Sequence, residues 1–305
     1  MTVDQNDITE KLVLGFNALI ASIRELLRGP WPDLLFIRHG HGFHQFAWDL
    51  FDQKVGDSPL KALGVNIPNH KVSLTPYGRE QAIQTGRYLR QVGYSPDCVY
   101  YSWLERAKES AELIFPAAQA NDFSFRSDWR IREKDFGVAH LQDASNLAEK
   151  YPDFIRLYEL VGKFWAPKVP GGDTYMRLLT DLHSMLTTLR RDWSGKKVAI
   201  ICHSAVMMAI RVLLERHNPE EVILLTEEQQ LLNCSLLHYR RANAGHWAGW
   251  TPGKSGHTGR FRLELDMPPY IAWYIDKPTR ALYNEQALTE LEEIKKNCPA
   301  TWLDL

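Results

Sequence analysis

A chain of 305 residues is long enough for one large domain or two small ones, and a hydrophobic content of 45% supports a buried core. Basic and acidic residues number 36 and 37, a net charge of −1 with no basic block, which argues against a nucleic-acid-binding surface. No apolar stretch reaches bilayer length, and Asp4, Asp7 and Glu10 stand where an export signal would carry positive charge, so the expectation is a cytoplasmic protein without membrane contact.

Residues 7 to 28 read as an amphipathic helix with Asp7 as N-cap, stopped by Gly29-Pro30. A strand at 33 to 37 follows. It is apolar almost throughout, as strands covered on both faces are, and it runs into Arg38-His39-Gly40. Residues 41 to 73 read as a long connection, and connections of that length inside a domain are usually functional or disordered. Thr75 as N-cap and Pro76 at the first helical position open a helix to about Gly93. Cys98 to Tyr101 reads as a strand, 103 to 115 as a helix ended by Pro116, 123 to 127 as a strand, and 128 to 148 as irregular. Residues 149 to 168 read as a short helix and an aromatic-rich loop. Gly171-Gly172 leads into a long helix, 173 to 192. A third apolar strand, 198 to 202, ends in His203 and enters a helix at 204 to 216. Strands near 222 to 226, 234 to 240 and 260 to 265, then a helix near 284 to 297, complete the pattern.

Such alternation predicts an α/β fold, a three-layer α/β/α sandwich on a mostly parallel central sheet. The expected organisation is an N-terminal helical extension over 1–30, a main domain over 31–265 with roof segments inserted near 41–73 and 138–172, and a C-terminal extension over 266–305. Cys98, Cys202, Cys234 and Cys298 are widely spaced, which fits buried free thiols better than disulfides or a zinc site.

In open α/β sheets, reactive groups gather beyond the C-terminal ends of strands. Three strands here end in such groups: Arg38 and His39 after the first, Ser102 with Arg106 one turn further after the second, and His203 after the third. Histidine can attack phosphorus through a ring nitrogen, and arginine can hold phosphate oxygens in bidentate fashion. Two other patterns are weaker. His39, His41 and His44 give H-x-H-x-x-H, but Phe43 stands where zinc hydrolases of the H-x-H-x-D-H type carry aspartate. Gly253-Lys254-Ser255 lacks the earlier glycine of a phosphate-binding loop, since residue 248 is Ala.

The set of motifs resembles, in order, the histidine phosphatase superfamily, also called the phosphoglycerate mutase-like family. Arg38-His39-Gly40 matches its signature. Leu74-Thr75-Pro76-Tyr77-Gly78-Arg79-Glu80-Gln81-Ala82 is similar to its helix start, and Ser102-Trp103-Leu104-Glu105-Arg106-Ala107 to its second element. Arg132-Glu133-Lys134-Asp135-Phe136-Gly137, Pro170-Gly171-Gly172-Asp173-Thr174 and Cys202-His203-Ser204 follow, so the resemblance spans 33 to about 216.

The resemblance implies a phosphoglycerate mutase-like fold and a set of roles. His39 would become phosphohistidine. Arg38, Arg106 and His203 would hold the phosphoryl oxygens. Glu133 would protonate the leaving oxygen and then activate water. Gln45 stands where the family often has Asn and would reach the phosphate, with His44 and Ser204 as further substrate contacts. Ser204 replaces the Asp that follows the second histidine in the acid phosphatase branch, which leaves Glu133 as the proton donor. No cofactor and no metal are implied.

The function so implied is a metal-independent phosphomonoesterase acting on a small phosphorylated metabolite. The alternatives are phosphoglycerate mutase-type transfer, a zinc hydrolase, and a non-catalytic relative that binds phosphorylated ligands. The long insert after Gly40 departs from the compact RHGExxxN of glycolytic mutases and favours the phosphatase. Nothing in the sequence specifies an oligomeric state.

Overall fold

The computed structural model of the chain describes residues 17–18, 31–51, 67–116, 124–135, 137, 144–165, 170–215, 218, 221, 231–240, 262–263 and 277–297. The first apolar run forms β1 (Asp33–Arg38), whose residues 34–37 are at most 1% exposed. With it stand β2 (Cys98–Tyr101), β3 (Ser124–Ser127), β4 (Lys197–Cys202), β5 (Leu236–Arg240) and the two-residue β6 (Arg262–Leu263). They make one sheet in the order β3-β2-β4-β1-β5-β6. Strands β1 to β4 are mutually parallel, β5 runs antiparallel to β1, and β6 antiparallel to β5. The register sets Arg38 opposite Cys202 and Tyr101 opposite Ile201. The three reactive strand ends therefore finish level with one another at one edge.

Side chains alternate across a strand, and here they separate two cores. Leu34, Phe36, Val198, Ile200 and Cys202 meet α6 (Tyr175–Trp193) and α7 (Ser204–Glu215) on one face. Leu35, Ile37, Ala199 and Ile201 meet α2 (Pro76–Gln91) and α3 (Glu105–Ile114) on the other. Burial on both faces is why these strands carry no polar alternation. The fold is the α/β/α sandwich that the sequence predicts.

Helix α2 starts as expected. Thr75 accepts a bond from Gly78 N at 3.1 Å, and Pro76 takes the first position. At α6, Thr174 is the cap and accepts from Arg177 N at 3.1 Å.

Three expectations change. The connection read over 41 to 73 contains a helix, α1 (Phe43–Phe51), and a 3-10 turn at Asn69–Lys71. Phe43, Phe46 and Ala47 of α1 bury against Val72 and against Ala287 and Leu291 of α8 (Lys277–Asn297), a third core. Each buried Phe contributes about 1.5–3 kcal/mol, enough to order a helix this short. The stretches read as irregular (128 to 148) and as a short helix and a loop (149 to 168) are also more regular than their sequence suggests. They hold α4 (Ala144–Lys150) and α5 (Pro152–Trp165), broken at Tyr151 because Pro152 starts a new helix at a position where its missing N–H costs nothing. The last helix starts at Lys277, seven residues before the expected 284.

The helix read over 7 to 28 lies outside the described residues except for Asn17 and Ala18, which are helical. The strand near 222–226 and Cys298 also lie outside them. Cys98, Cys202 and Cys234 are buried and form no disulfide among the described residues. Among the described residues no helix is long and apolar enough to cross a membrane.

Candidate active site

His39 is the first residue past β1, and its N–H extends the ladder to Cys202 O at 3.0 Å. The ring is buried. Its Nδ1 donates to Gly40 O at 2.6 Å, so the lone pair sits on Nε2. Burial pushes its pKa well below the ordinary histidine value, and His203, Arg106 and Arg38 push it further down. The imidazole is therefore neutral near pH 7, the form that attacks an electrophile.

The turn after His39 is held by backbone packing. A Cβ on Gly40 would sit 2.4 Å from Gly78 O, and one on Gly78 would sit 2.0 Å from His41 O. The glycines of two separate motifs thus form one close contact. It is closed by Gly40 N to Ser110 Oγ at 3.0 Å, His41 N to Gln81 Oε1 at 2.9 Å and Thr75 N to His41 O at 2.9 Å.

Arg106 enters the site from the first turn of α3 and is 2% exposed. Its Nη1 donates to Asn69 O at 2.9 Å and to Asn69 Oδ1 at 3.1 Å, which ties the 3-10 turn to the site. Arg38 donates to Leu231 O. The Nε atoms of both arginines are buried without a hydrogen-bond partner, and neither guanidinium has a carboxylate ion-pair partner among the described residues. Burial lowers the pKa of each, that of Arg106 to about 10, while the charge of Glu133 partly opposes the shift. Buried cations are stable only when matched by a counter-charge. Two side by side therefore mark a place for an anion.

His203 is fully buried, its ring 5.0 Å from that of His39, and its Nε2 lies 2.8 Å from Ser102 Oγ. Burial depresses its pKa, with Arg106, His44 and Arg38 adding to the effect. His44, in the first turn of α1, brings its ring to 5.8 Å from His39.

Glu133 stands at the N-terminus of α7. It accepts from Ala205 N and Ser204 Oγ, each at 3.3 Å, and from Lys134 N at 3.0 Å. A helix N-terminus favours a carboxylate there. The preceding Arg132 is clamped by Asp173 at 2.8 Å and Asp181 at 2.9 Å, which fixes the segment to α6. Gly137, at φ +51°, lies where a Cβ would meet Pro170 O at 2.3 Å, so the Glu133 segment and the double-glycine turn are one unit.

The structure thus brings Arg38, His39, Arg106 and His203 together. It treats two other candidates differently. Ser204 spends its hydroxyl on Glu133. Gln45 accepts from Gly42 N at 3.1 Å and exchanges two bonds of 3.0 Å with Asn233, so its amide braces the turn around His39. His41 is directed away from His39. Its Nδ1 is 3.0 Å from Thr75 Oγ1 and its Nε2 is 3.2 Å from Asp49 Oδ2, which separates the three histidines of the zinc pattern. Among the described residues no group of three or more His, Cys, Asp or Glu is arranged to hold a metal ion.

The segment 231–235 was not foreseen. Asn233 Nδ2 donates to His39 O at 3.0 Å, Cys234 N donates to Arg38 O at 3.0 Å, and Arg38 N donates to Ser235 O at 3.1 Å. Cys234 holds φ +59° to do this, a strained state for a side-chain-bearing residue. The only sequence signal was an Asn ahead of a strand, which reads as ordinary turn chemistry.

The arrangement suits chemistry on a tetrahedral oxyanion: a neutral imidazole with an open lone pair, two guanidinium groups, a second imidazole and a carboxyl at one strand edge. The model of the histidine phosphatase superfamily (branch 1) matches residues 34–248. The chain is 29% identical over 134 residues to the "Probable phosphoglycerate mutase GpmB" of Salmonella typhi, covering 44% of this chain and 59% of that protein. It is 27% identical over 154 residues to the "Uncharacterized phosphatase PhoE" of Bacillus subtilis, covering 49% of this chain and 68% of that one. The solved structure "Mycobacterial hydrolase 2" shares the fold, with a TM-score of 0.55 at 18% identity over 84% of this chain and 97% of that chain. With the family model matching well over half of its length, this chain belongs to the histidine phosphatase superfamily.

Proposed function

We propose that the protein is a phosphomonoesterase that works through a phosphohistidine on His39, without a metal, on a small phosphorylated metabolite. The observation that supports this most is the pairing of a neutral His39, its Nε2 lone pair free, with two buried guanidinium groups that have no carboxylate partner among the described residues.

In this reading the phosphoryl oxygens fill the space between Arg38, Arg106 and His203. Charge spreads over those oxygens in the transition state, and the fixed cations stabilise it there. His39 Nε2 attacks phosphorus, the bond to the ester oxygen breaks, and Glu133 gives that oxygen its proton. Water then attacks the phosphohistidine, giving its proton to Glu133, and inorganic phosphate leaves. The cationic work is done by side chains. The family includes mutases as well as phosphatases, and the long insert after Gly40 favours hydrolysis.

The test is a screen of sugar phosphates, nucleotides, phosphoamino acids and phosphoglycerates, run with and without chelator, on wild type and His39→Ala. Expected are turnover that survives EDTA and is inhibited by vanadate, a base-stable and acid-labile phosphate label on wild type, and neither turnover nor label in the variant. Substantial activity in purified His39→Ala would refute the phosphohistidine. Interconversion of phosphoglycerates without phosphate release would establish the mutase. Loss with EDTA and recovery with zinc would favour the metal reading.

A further inference from the structure

Ser102 directly follows β2 and takes no part in the mechanism above, yet it is fully buried beside His203. Its Oγ lies 2.8 Å from His203 Nε2, and either atom could own the shared proton. The other contact of the hydroxyl decides between them. Leu104 N donates to Ser102 Oγ at 3.4 Å, and the described residues offer the hydroxyl no other partner. If Nε2 carried the proton, Oγ would accept twice and its own hydrogen would face no acceptor in a closed interior, a costly arrangement. If the hydroxyl donates to Nε2, Oγ accepts once and donates once, and nothing is wasted. A neutral imidazole then has its single N–H on Nδ1, and Nδ1 is the buried atom of His203 that has no protein partner.

We propose that Ser102 is a positioning residue that fixes His203 as the Nδ1–H tautomer, so that this nitrogen donates to a phosphoryl oxygen held beside Arg38 and Arg106. The role rests on the phosphoryl-transfer reading of the site. His39 provides the counterpart. There Nδ1 is also protonated, but its partner is Gly40 O, so the free atom is the Nε2 lone pair. The rings are 5.0 Å apart and share a tautomer while offering opposite chemistry, one a lone pair that attacks and the other a donor that holds.

Long-range proton–nitrogen spectra of nitrogen-15-labelled protein read the tautomer directly, with His203→Gln identifying the signals. Wild type, free and with vanadate bound, should show a protonated Nδ1 and an unprotonated Nε2 on His203. Ser102→Ala should lose this preference and bind vanadate about tenfold more weakly or worse, and Ser102→Thr should restore both. A His203 protonated on Nε2 in the vanadate complex would overturn the role of Ser102, and this holds even if the Ala variant does not fold, because wild type carries the answer. Failure of the phosphatase reading is separate, since an Nδ1–H enzyme that is inactive on every phosphomonoester overturns the reaction and leaves the tautomer standing.

Discussion

Replacing Arg106 with Met should make the protein more stable and inactive. The pKa of Arg106 falls from 12.5 to about 10, chiefly because the guanidinium is buried. That difference is about 2.5 units, and at about 1.4 kcal/mol per unit the charge costs the fold about 3 kcal/mol. The sign follows from linkage. A base whose folded pKa lies below its unfolded value destabilises the fold wherever both states are protonated, and the cost fades only as pH rises through about 10. Against this stand the two bonds to Asn69, whose partly exposed groups can turn to water, for a loss of about 1–2 kcal/mol. Met fills a similar volume without charge. The net expectation is a gain of about 1–2 kcal/mol, in line with other swaps of buried ions for apolar residues. Urea unfolding followed by the fluorescence of the ten tryptophans measures it. Vanadate should raise the wild-type midpoint and leave that of the variant unmoved. A variant destabilised by more than about 1 kcal/mol would show that the Arg106 charge is already compensated, and the case for an anion site from uncompensated charge would collapse.

Glu133→Gln keeps an acceptor for Ala205 N and removes proton transfer, so kcat on sugar or alkyl phosphates should fall by about 10²–10⁴-fold. The fall should be much smaller on p-nitrophenyl phosphate if dephosphorylation is not rate-limiting, and near-wild-type rates on both substrate types would move the proton donor elsewhere. For His39 and His203 the folded pKa lies below the ordinary value of about 6.5, so the unfolded chain takes up protons first as pH falls. Their contribution to stability is therefore complete above pH ~6.5 and is lost below it, each ring adding a slope of up to about 1.4 kcal/mol per pH unit. Urea midpoints between pH 7 and 5.5 should fall less steeply in His39→Gln than in wild type, and equal slopes would mean that His39 titrates as an ordinary histidine.

The parts of the fold that could be read in advance are those whose physics is local. Strands β1 and β4 announce themselves because burial on both faces requires unbroken apolar runs, and α2 because Thr75 and Pro76 satisfy its first turn from within the sequence. The reactive residues at strand ends were legible for the same reason, since parallel strands deliver their ends to one edge. Helix α1 was not, because the surface that orders Phe43 and Phe46 comes from Ala287 and Leu291, about 240 residues later. The bonds of Gln45 were hidden for a related reason. Its partner Asn233 is 188 residues away, and no pattern near residue 45 records it. Residues 149 to 168 read as a short helix and a loop, whereas Pro152 opens a helix of 14 residues, because a proline at the first position loses no hydrogen bond.

One strand beside the nucleophile runs the other way, and this shapes the site as much as the parallel strands do. A parallel strand brings to the reaction edge the residues on its C-terminal side. Strand β5, reversed beside β1, brings those on its N-terminal side. The residues leading into β5 consequently stand next to the nucleophile, where in an all-parallel sheet they would lie at the opposite end of the molecule. Segment 231–235 acts there as a fixed mould: the chain is laid against Arg38 and His39 through main-chain groups, with the Asn233 side chain added at His39 O. Segment 231–235 is thus coupled mechanically to the attacking atom, and a change of length within it would shift the imidazole before it touched any ligand.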